Sequence, residues 1–120
     1  SLPWVQGIAK YASSQIEPAK ILLGLAGYGY EWPARDSWGV VYARDAASLA
    51  ASGNAPVLWD DGAQESHFRY TDKAGTTHTV WFENGHSVQS KLDVVRGYGL
   101  GGVALWRLGQ EDGYLWSVLL

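Results

Sequence analysis

The sequence predicts an α/β fold interrupted by an α+β block. Three observations carry this prediction. Two segments, residues 3–26 and 87–108, each read as an amphipathic helix followed by a mostly apolar strand. Successive units of that kind imply parallel strands joined by helical crossovers. Between them lie about sixty residues with the alternating texture of an antiparallel sheet. The whole chain has only 120 residues, short of the ~200–250 that a closed eight-stranded α/β barrel needs. Two parallel strands with one insertion do not complete a fold, so a barrel or open sheet lacking its earlier strands accounts best for the length.

The elements follow in order. Ser1 is a possible N-cap and Pro3 suits a first helical turn. Val5, Ile8, Ala9, Ala12 and Ile16 mark the helix's apolar stripe, and Pro18 ends it. Ile21–Ala26 is an apolar run without alternation, as in a strand buried on both faces. It stops in a glycine-aromatic segment, Gly27–Pro33, which reads as a loop. Trp38–Tyr42 is a short strand, Asp45 is placed to cap an alanine-rich helix over Ala46–Ala51, and Gly53 closes it. Pro56–Trp59 reads as a strand and Asp60-Asp61-Gly62 as a turn. Two alternating strands, His67–Thr71 and Thr77–Glu83, flank the loop 72–76. Pairing them about Ala74 sets Phe68 opposite Val80 and Tyr70 opposite His78, with Phe68, Tyr70, Val80 and Phe82 on one face. Ser87 is placed to cap a helix carrying Val88, Leu92 and Val95, which Gly99 stops. Gly102–Leu108 is the second apolar strand, with Ala104 and Trp106 on one face. A last helix gathers around Leu115, Trp116 and Leu119, with Glu111 and Asp112 at its start.

Composition narrows the function. The chain is 47% hydrophobic, too apolar for disorder. No apolar run approaches the ~20 residues of a membrane-spanning helix. With no cysteine it is neither a disulfide scaffold nor a thiol enzyme nor a zinc ribbon. A net charge of −3 gives no electrostatic footprint for nucleic acid. His67 and His78 fall on opposite faces of the hairpin and His86 lies at a helix entrance, so no metal site is expected. No cofactor is expected either. The first residue is serine and methionine is absent, which points to a piece of a longer polypeptide. Seven tryptophans and seven tyrosines in 120 residues remain to be explained.

Loops at the carboxyl ends of parallel strands build the site in an α/β barrel. Here those ends carry Tyr28, Tyr30, Glu31 and Trp32 after the first strand, and Trp106 at the end of the second. An indole there suits the apolar face of a sugar ring, with tyrosines and a carboxylate meeting its hydroxyls. Trp32, Trp38 and Trp59 are expected to pack between the insertion and the α/β part.

Lys20-Ile-Leu-Leu-Gly-Leu-Ala-Gly-Tyr-Gly-Tyr30 resembles the seventh-strand segment of family 18 glycoside hydrolases, the chitinase-like enzymes. Val80-Trp-Phe-Glu-Asn-Gly-His-Ser-Val88 resembles the segment leading into their next helix. Gly99-Leu-Gly-Gly-Val-Ala-Leu-Trp-Arg-Leu-Gly-Gln-Glu-Asp112 resembles their eighth strand, which ends in a tryptophan. The block between sits where that family carries its chitinase insertion domain. Tyr28-Gly-Tyr-Glu-Trp32 and Ala104-Leu-Trp-Arg-Leu-Gly109 are most similar to the bacterial spore-wall-hydrolase branch.

The resemblance implies the last two βα units of a (β/α)8 barrel. Residues 1–34 would hold a helix and the seventh strand, 35–85 the α+β insertion, and 86–120 a helix, the eighth strand and the start of the last helix. It implies substrate contacts at Trp106, Tyr28, Tyr30, Glu31 and Glu83. The expected partner is a polysaccharide or oligosaccharide of β-1,4-linked N-acetylglucosamine, chitin-like or peptidoglycan-like, met in a secreted or cell-envelope setting. Ala26-Gly27 stand where members often have Pro-Phe, which implies more space beside the cleft.

The family's Asp-x-x-Asp-x-Asp-x-Glu motif does not occur in this sequence. In the family that glutamate protonates the leaving oxygen while the substrate's own N-acetyl group attacks the anomeric carbon, an exception to the two-carboxylate scheme. The catalytic acid is therefore expected outside this sequence, and the 120 residues alone are expected to be inactive. The alternative is a non-catalytic carbohydrate-binding or structural domain. Exposed strand edges and helix faces predict self-association.

Overall fold

The computed structural model describes residues 1–33 and 37–120. Helix α1 spans Leu2–Gln15 and a 3-10 turn, Pro18–Lys20, leads into β1, Leu22–Ala26. β2 (Tyr28–Pro33) and β3 (Gly39–Tyr42) precede α2 (Ala43–Ser52). β4 (Leu58–Asp60), β5 (Glu65–Thr71) and β6 (Thr77–Phe82) follow, then α3 (Gly85–Tyr98), β7 (Gly102–Trp106) and α4 (Gly113–Leu119).

The strands form two sheets. β1 and β7 pair in parallel, from Leu22 against Gly102 to Ala26 against Trp106. The other five form an antiparallel sheet in the order β3-β2-β6-β5-β4. The expected parallel pair and hairpin are both present, and Phe68 pairs with Val80 and Tyr70 with His78. Alternation sets this register, because a one-residue slip would turn Phe68 and Val80, both fully buried, into water.

Several local expectations are corrected. Gly27–Pro33 is not a loop, since Tyr28–Pro33 is a central strand paired to both β3 and β6. Tyr28, Tyr30 and Trp32 alternate with Gly29 and Glu31, a two-faced pattern that β-favouring aromatics support. The glycine is required by closeness: a Cβ on Gly29 would lie 2.5 Å from Phe82 Cα. Tyr42, not Asp45, holds the N-cap position of α2, and Asp45 sits in its first turn. Asn84, not Ser87, caps α3. Its side chain accepts from the Ser87 N–H at 3.1 Å, and Ser87 Oγ accepts from the Asn84 N–H at 3.0 Å, a reciprocal capping box. Gly99 ends α3 at φ 63°. Asp112 caps α4, accepting from the Leu115 N–H at 2.9 Å.

β1 is not buried on both faces. Leu23 and Leu25 turn toward the helices, whereas Leu22 is 59% exposed on the other side. Val5 and Ala9 are the buried part of the α1 stripe, and Ile8 and Ile16 stay exposed. One apolar cluster joins Leu25, Val88, Leu92 and Leu115, and a second joins Val5, Ala9 and Val94. A third lies between α2 and the five-stranded sheet, around Ala46, Ala50, Phe68, Val80 and Phe82. The expected boundary at residues 34–35 lies outside the described residues.

Candidate functional site

β1 and β7 end at the same edge, where the Gly27 N–H donates to the Trp106 carbonyl at 2.7 Å. The peptide joining Trp106 and Arg107 is cis. Trp106 pairs with Ala26 in a parallel ladder, so both side chains stand on the face turned away from α3 and α4. Its indole is 68% exposed.

Next to it a cleft of about 520 Å³ is lined by Gly24, Ala26, Tyr28, Tyr30, Trp32 and Trp81, with Trp4 from α1 and Glu83. Strand β2 supplies three of the aromatics because every second residue faces the same side. The Tyr28 and Tyr30 rings meet edge-to-face at 5.6 Å, and Tyr30 reaches Trp32 at 5.8 Å and Trp38 at 5.4 Å. The neighbouring Tyr30 hydroxyl, helped by burial, pushes the Tyr28 phenol above its ordinary value, so it stays a neutral hydrogen-bonding group. Trp38 is 66% exposed and does not fill an interface as expected. Trp59, on β4, stacks on His86 of α3 at 3.9 Å and so packs between the five-stranded sheet and α3 as expected.

The extra space expected at Ala26-Gly27 is partly taken. A Cβ on Gly27 would lie 3.2 Å from the Glu111 nitrogen and 3.3 Å from the Arg107 oxygen, so backbone from the loop after β7 fills that position.

Glu31 does not join Tyr28 and Tyr30. It projects from the opposite face of β2, where the Tyr70 hydroxyl donates to its Oε1 at 2.6 Å and His78 Nδ1 pairs with the same oxygen. His78 Nε2 lies 3.1 Å from Asp72 Oδ2. Burial, then the bond to Glu31, pushes the Tyr70 phenol up to about 12. The Thr76 backbone N–H, then the His78 ring, holds Asp72 below the ordinary carboxylate range. Read as a loop, the segment imposes no faces. As a strand, it must send residue 31 away from 28 and 30.

Glu83 lines the cleft, yet both its oxygens are engaged. Oε1 pairs with Lys91 Nζ and Oε2 accepts from Ser87 Oγ at 2.8 Å. Lys91 also donates to Glu65 Oε1 at 2.8 Å. Sequence reasoning missed Glu65 and Lys91, and also Trp81 and Trp4. Trp81 was legible in principle, since it alternates with Val80 and Phe82 and so must face away from the core. A lysine between Val88 and Leu92 on a helix gives no sign that it is buried. Among the described residues no group of three or more His, Cys, Asp or Glu is arranged to hold a metal ion.

The chain is similar to known proteins in both sequence and fold. The family model for glycosyl hydrolases family 18 matches residues 3–111. The cortical fragment-lytic enzyme of Bacillus cereus is 36% identical over 121 residues, covering 97% of this chain and 28% of its own length. The crystal structure of the Bacillus cereus spore cortex-lytic enzyme SleL superposes with a TM-score of 0.91 at 35% identity, over 96% of this chain and 28% of that one. A chitinase from Chromobacterium violaceum gives 0.87 at 39% identity, over 92% and 35%. The chain thus spans under a third of the length of the cortical fragment-lytic enzymes it matches. With nearly all of its residues accounted for by one family's pattern, the chain belongs to the glycosyl hydrolases of family 18.

Proposed function

We propose that these residues form the seventh- and eighth-strand units of a (β/α)8 barrel together with its inserted α+β domain. The whole enzyme hydrolyses a β-1,4-linked N-acetylglucosamine polymer, chitin-like or peptidoglycan-like, by the substrate-assisted retaining route. The general acid stands outside this sequence, so the 120 residues bind sugar without cleaving it. The site lies outside the cytoplasm, in a secreted or cell-envelope setting.

One observation carries the reading. An exposed indole, Trp106, ends β7 on the same face as Ala26, beside a cleft whose wall is Tyr28 and Tyr30. A sugar ring stacked on Trp106 sets its hydroxyls toward the two phenols. Glu31 and Glu83 serve this arrangement from within the scaffold, Glu31 behind β2 and Glu83 through Lys91 and Ser87. The free outer edges of β1 and β7 take up the missing barrel strands in the whole enzyme, and in their absence drive self-association.

Titration of intrinsic tryptophan fluorescence with chitotetraose tests the binding claim. The wild-type chain responds saturably and releases no reducing sugar. A silent wild type would overturn the proposal.

A further inference from the structure

We infer that the buried Glu65–Lys91–Glu83 triad is a positioning device: it fixes the five-stranded sheet, and with it the aromatic wall of the cleft, relative to α3 and the β1–β7 pair. The sugar-binding consequence rests on the function proposed above, but the positioning role does not.

Among the described residues the apolar clusters divide cleanly. One lies wholly between α2 and the five-stranded sheet, and the others lie among α1, α3, α4, β1 and β7. No apolar cluster spans the two parts. Apolar packing is non-directional in any case and specifies an angle poorly.

The Trp59–His86 stack and backbone bonds from Leu2 to Ala63 and from Arg44 to Gln110 cross the junction, and polar side-chain contacts cross beside them. Lys91 projects from α3 with its side chain 8% exposed, and takes Glu65 at the start of β5 and Glu83 just beyond β6. One turn earlier, Ser87 Oγ donates to Glu83 Oε2, and Asn84 Nδ2 donates to Ser66 Oγ at 2.8 Å. Alongside, Ser90 Oγ donates to Gln64 Oε1 at 2.9 Å.

A buried ion triad is a poor way to gain stability, because desolvation offsets most of its attraction. Its directional bonds are suited to fixing one arrangement over near alternatives. Tyr28, Tyr30 and Trp81 ride on the strands that the triad holds, and Trp106 rides on the pair beneath α3. The Gly27–Trp106 backbone bond holds the near end of the wall to the indole, and the Lys91 contacts hold the β5–β6 side of the sheet, with Trp81, against α3.

The 120 residues contain no cysteine, so spin labels at Ser14→Cys on α1 and Ser52→Cys on α2 report the angle directly by pulsed electron-spin distance measurement. The wild type gives one narrow distance distribution. Glu65→Leu leaves Lys91 paired with Glu83 and removes the tether to β5 together with the 3.8 Å pairing of Glu65 with the Ser1 amino group. The triple replacement Glu65→Leu, Lys91→Met, Glu83→Leu removes every buried charge of the triad. Both variants are expected to keep their circular dichroism and cooperative unfolding while the distribution broadens or shifts. Glu65, Lys91 and Glu83 also line the cleft, so the distances and not the sugar affinity decide the inference.

A broad distribution in the wild type, or a wild-type distribution in either folded variant, would overturn the inference. Failure of both variants to fold would also overturn it, since the triad would then simply hold the fold together. Distances are read without sugar, so a wild type that binds no chitotetraose removes the proposed function and leaves this inference to be decided by the distances alone.

Discussion

Replacing Gly29 with alanine attacks the point where the cleft wall joins the rest of the insertion sheet. Gly29 faces Phe82 across the β2–β6 ladder. A Cβ there would stand 2.5 Å from Phe82 Cα, against 3.4 Å for ordinary contact. The Trp81 carbonyl oxygen and Phe82 Cβ stand closer still, so the strands must part by more than about 0.9 Å or twist. Neither backbone segment is the movable end of a side chain, and Phe82 itself is buried in the α2–sheet core. Overpacking of this kind costs about 1–3 kcal/mol, and one or two weakened ladder bonds add about 0.5–1.5 kcal/mol each. The expected loss is about 2–5 kcal/mol, within a total of only about 6–18 kcal/mol for a chain of this size. With a urea slope of about 1.5 kcal/mol/M, the midpoint falls by about 1.5–3 M. Urea unfolding followed by tryptophan fluorescence reads this shift, and amide exchange over 28–33 and 78–82 locates it. Tyr28 and Tyr30 flank the glycine, so sugar affinity should fall with the pairing. A variant within about 0.5 kcal/mol of wild type, the range of neutral surface changes, would refute the claim that closeness requires glycine here.

Other outcomes follow from the same contacts. Lys91→Met strands two buried carboxylates and should cost about 3–5 kcal/mol, read as a lowered thermal midpoint, whereas the triple apolar replacement should recover most of it. Asp72 has a depressed folded-state pKa. The stability it contributes is therefore present above its unfolded value near 4 and lost as pH falls through the lower folded value. Melting curves of wild type and Asp72→Asn should accordingly converge on acidification. In Tyr70→Phe, a phenolate absorbance titration should lose a late step near pH 12, because burial and the bond to Glu31 hold that phenol back.

What could be read from the sequence depended on whether a residue's local pattern carried its partner. The β5–β6 hairpin was legible down to the Phe68–Val80 pair because alternation over both strands leaves one register with an apolar face. The parallel pair was legible from two apolar runs following helices, and Trp106 from its place at the end of the second. β2 was hidden because Gly27 and Gly29 carry the signature of a turn. Here they mark close backbone approach, to Glu111 in one case and to Phe82 in the other. That one misreading also misdirected Glu31, since a loop leaves open which side a residue faces. At α3 the two ends of the Asn84–Ser87 capping box look alike from sequence. The Lys91 triad joins residues 26 and 8 positions apart, and neither spacing has a local signature. The exposed side of β1 was hidden because an apolar run without alternation reads as buried on both faces, whereas Leu22 is 59% exposed.

The central claim is that Trp106 and the β2 tyrosines form a sugar-binding surface that lacks its own acid. Calorimetric titration of the wild-type chain and Trp106→Ala with chitotetraose tests it most directly. Trp106 is largely exposed, so the variant should keep the wild-type unfolding midpoint. The account predicts saturable binding by wild type, a loss of about 2 kcal/mol or more in the variant, as for an aromatic hot spot, and no cleavage by either. Equal binding by the two chains, or chitotetraose hydrolysis by the wild type, would contradict it.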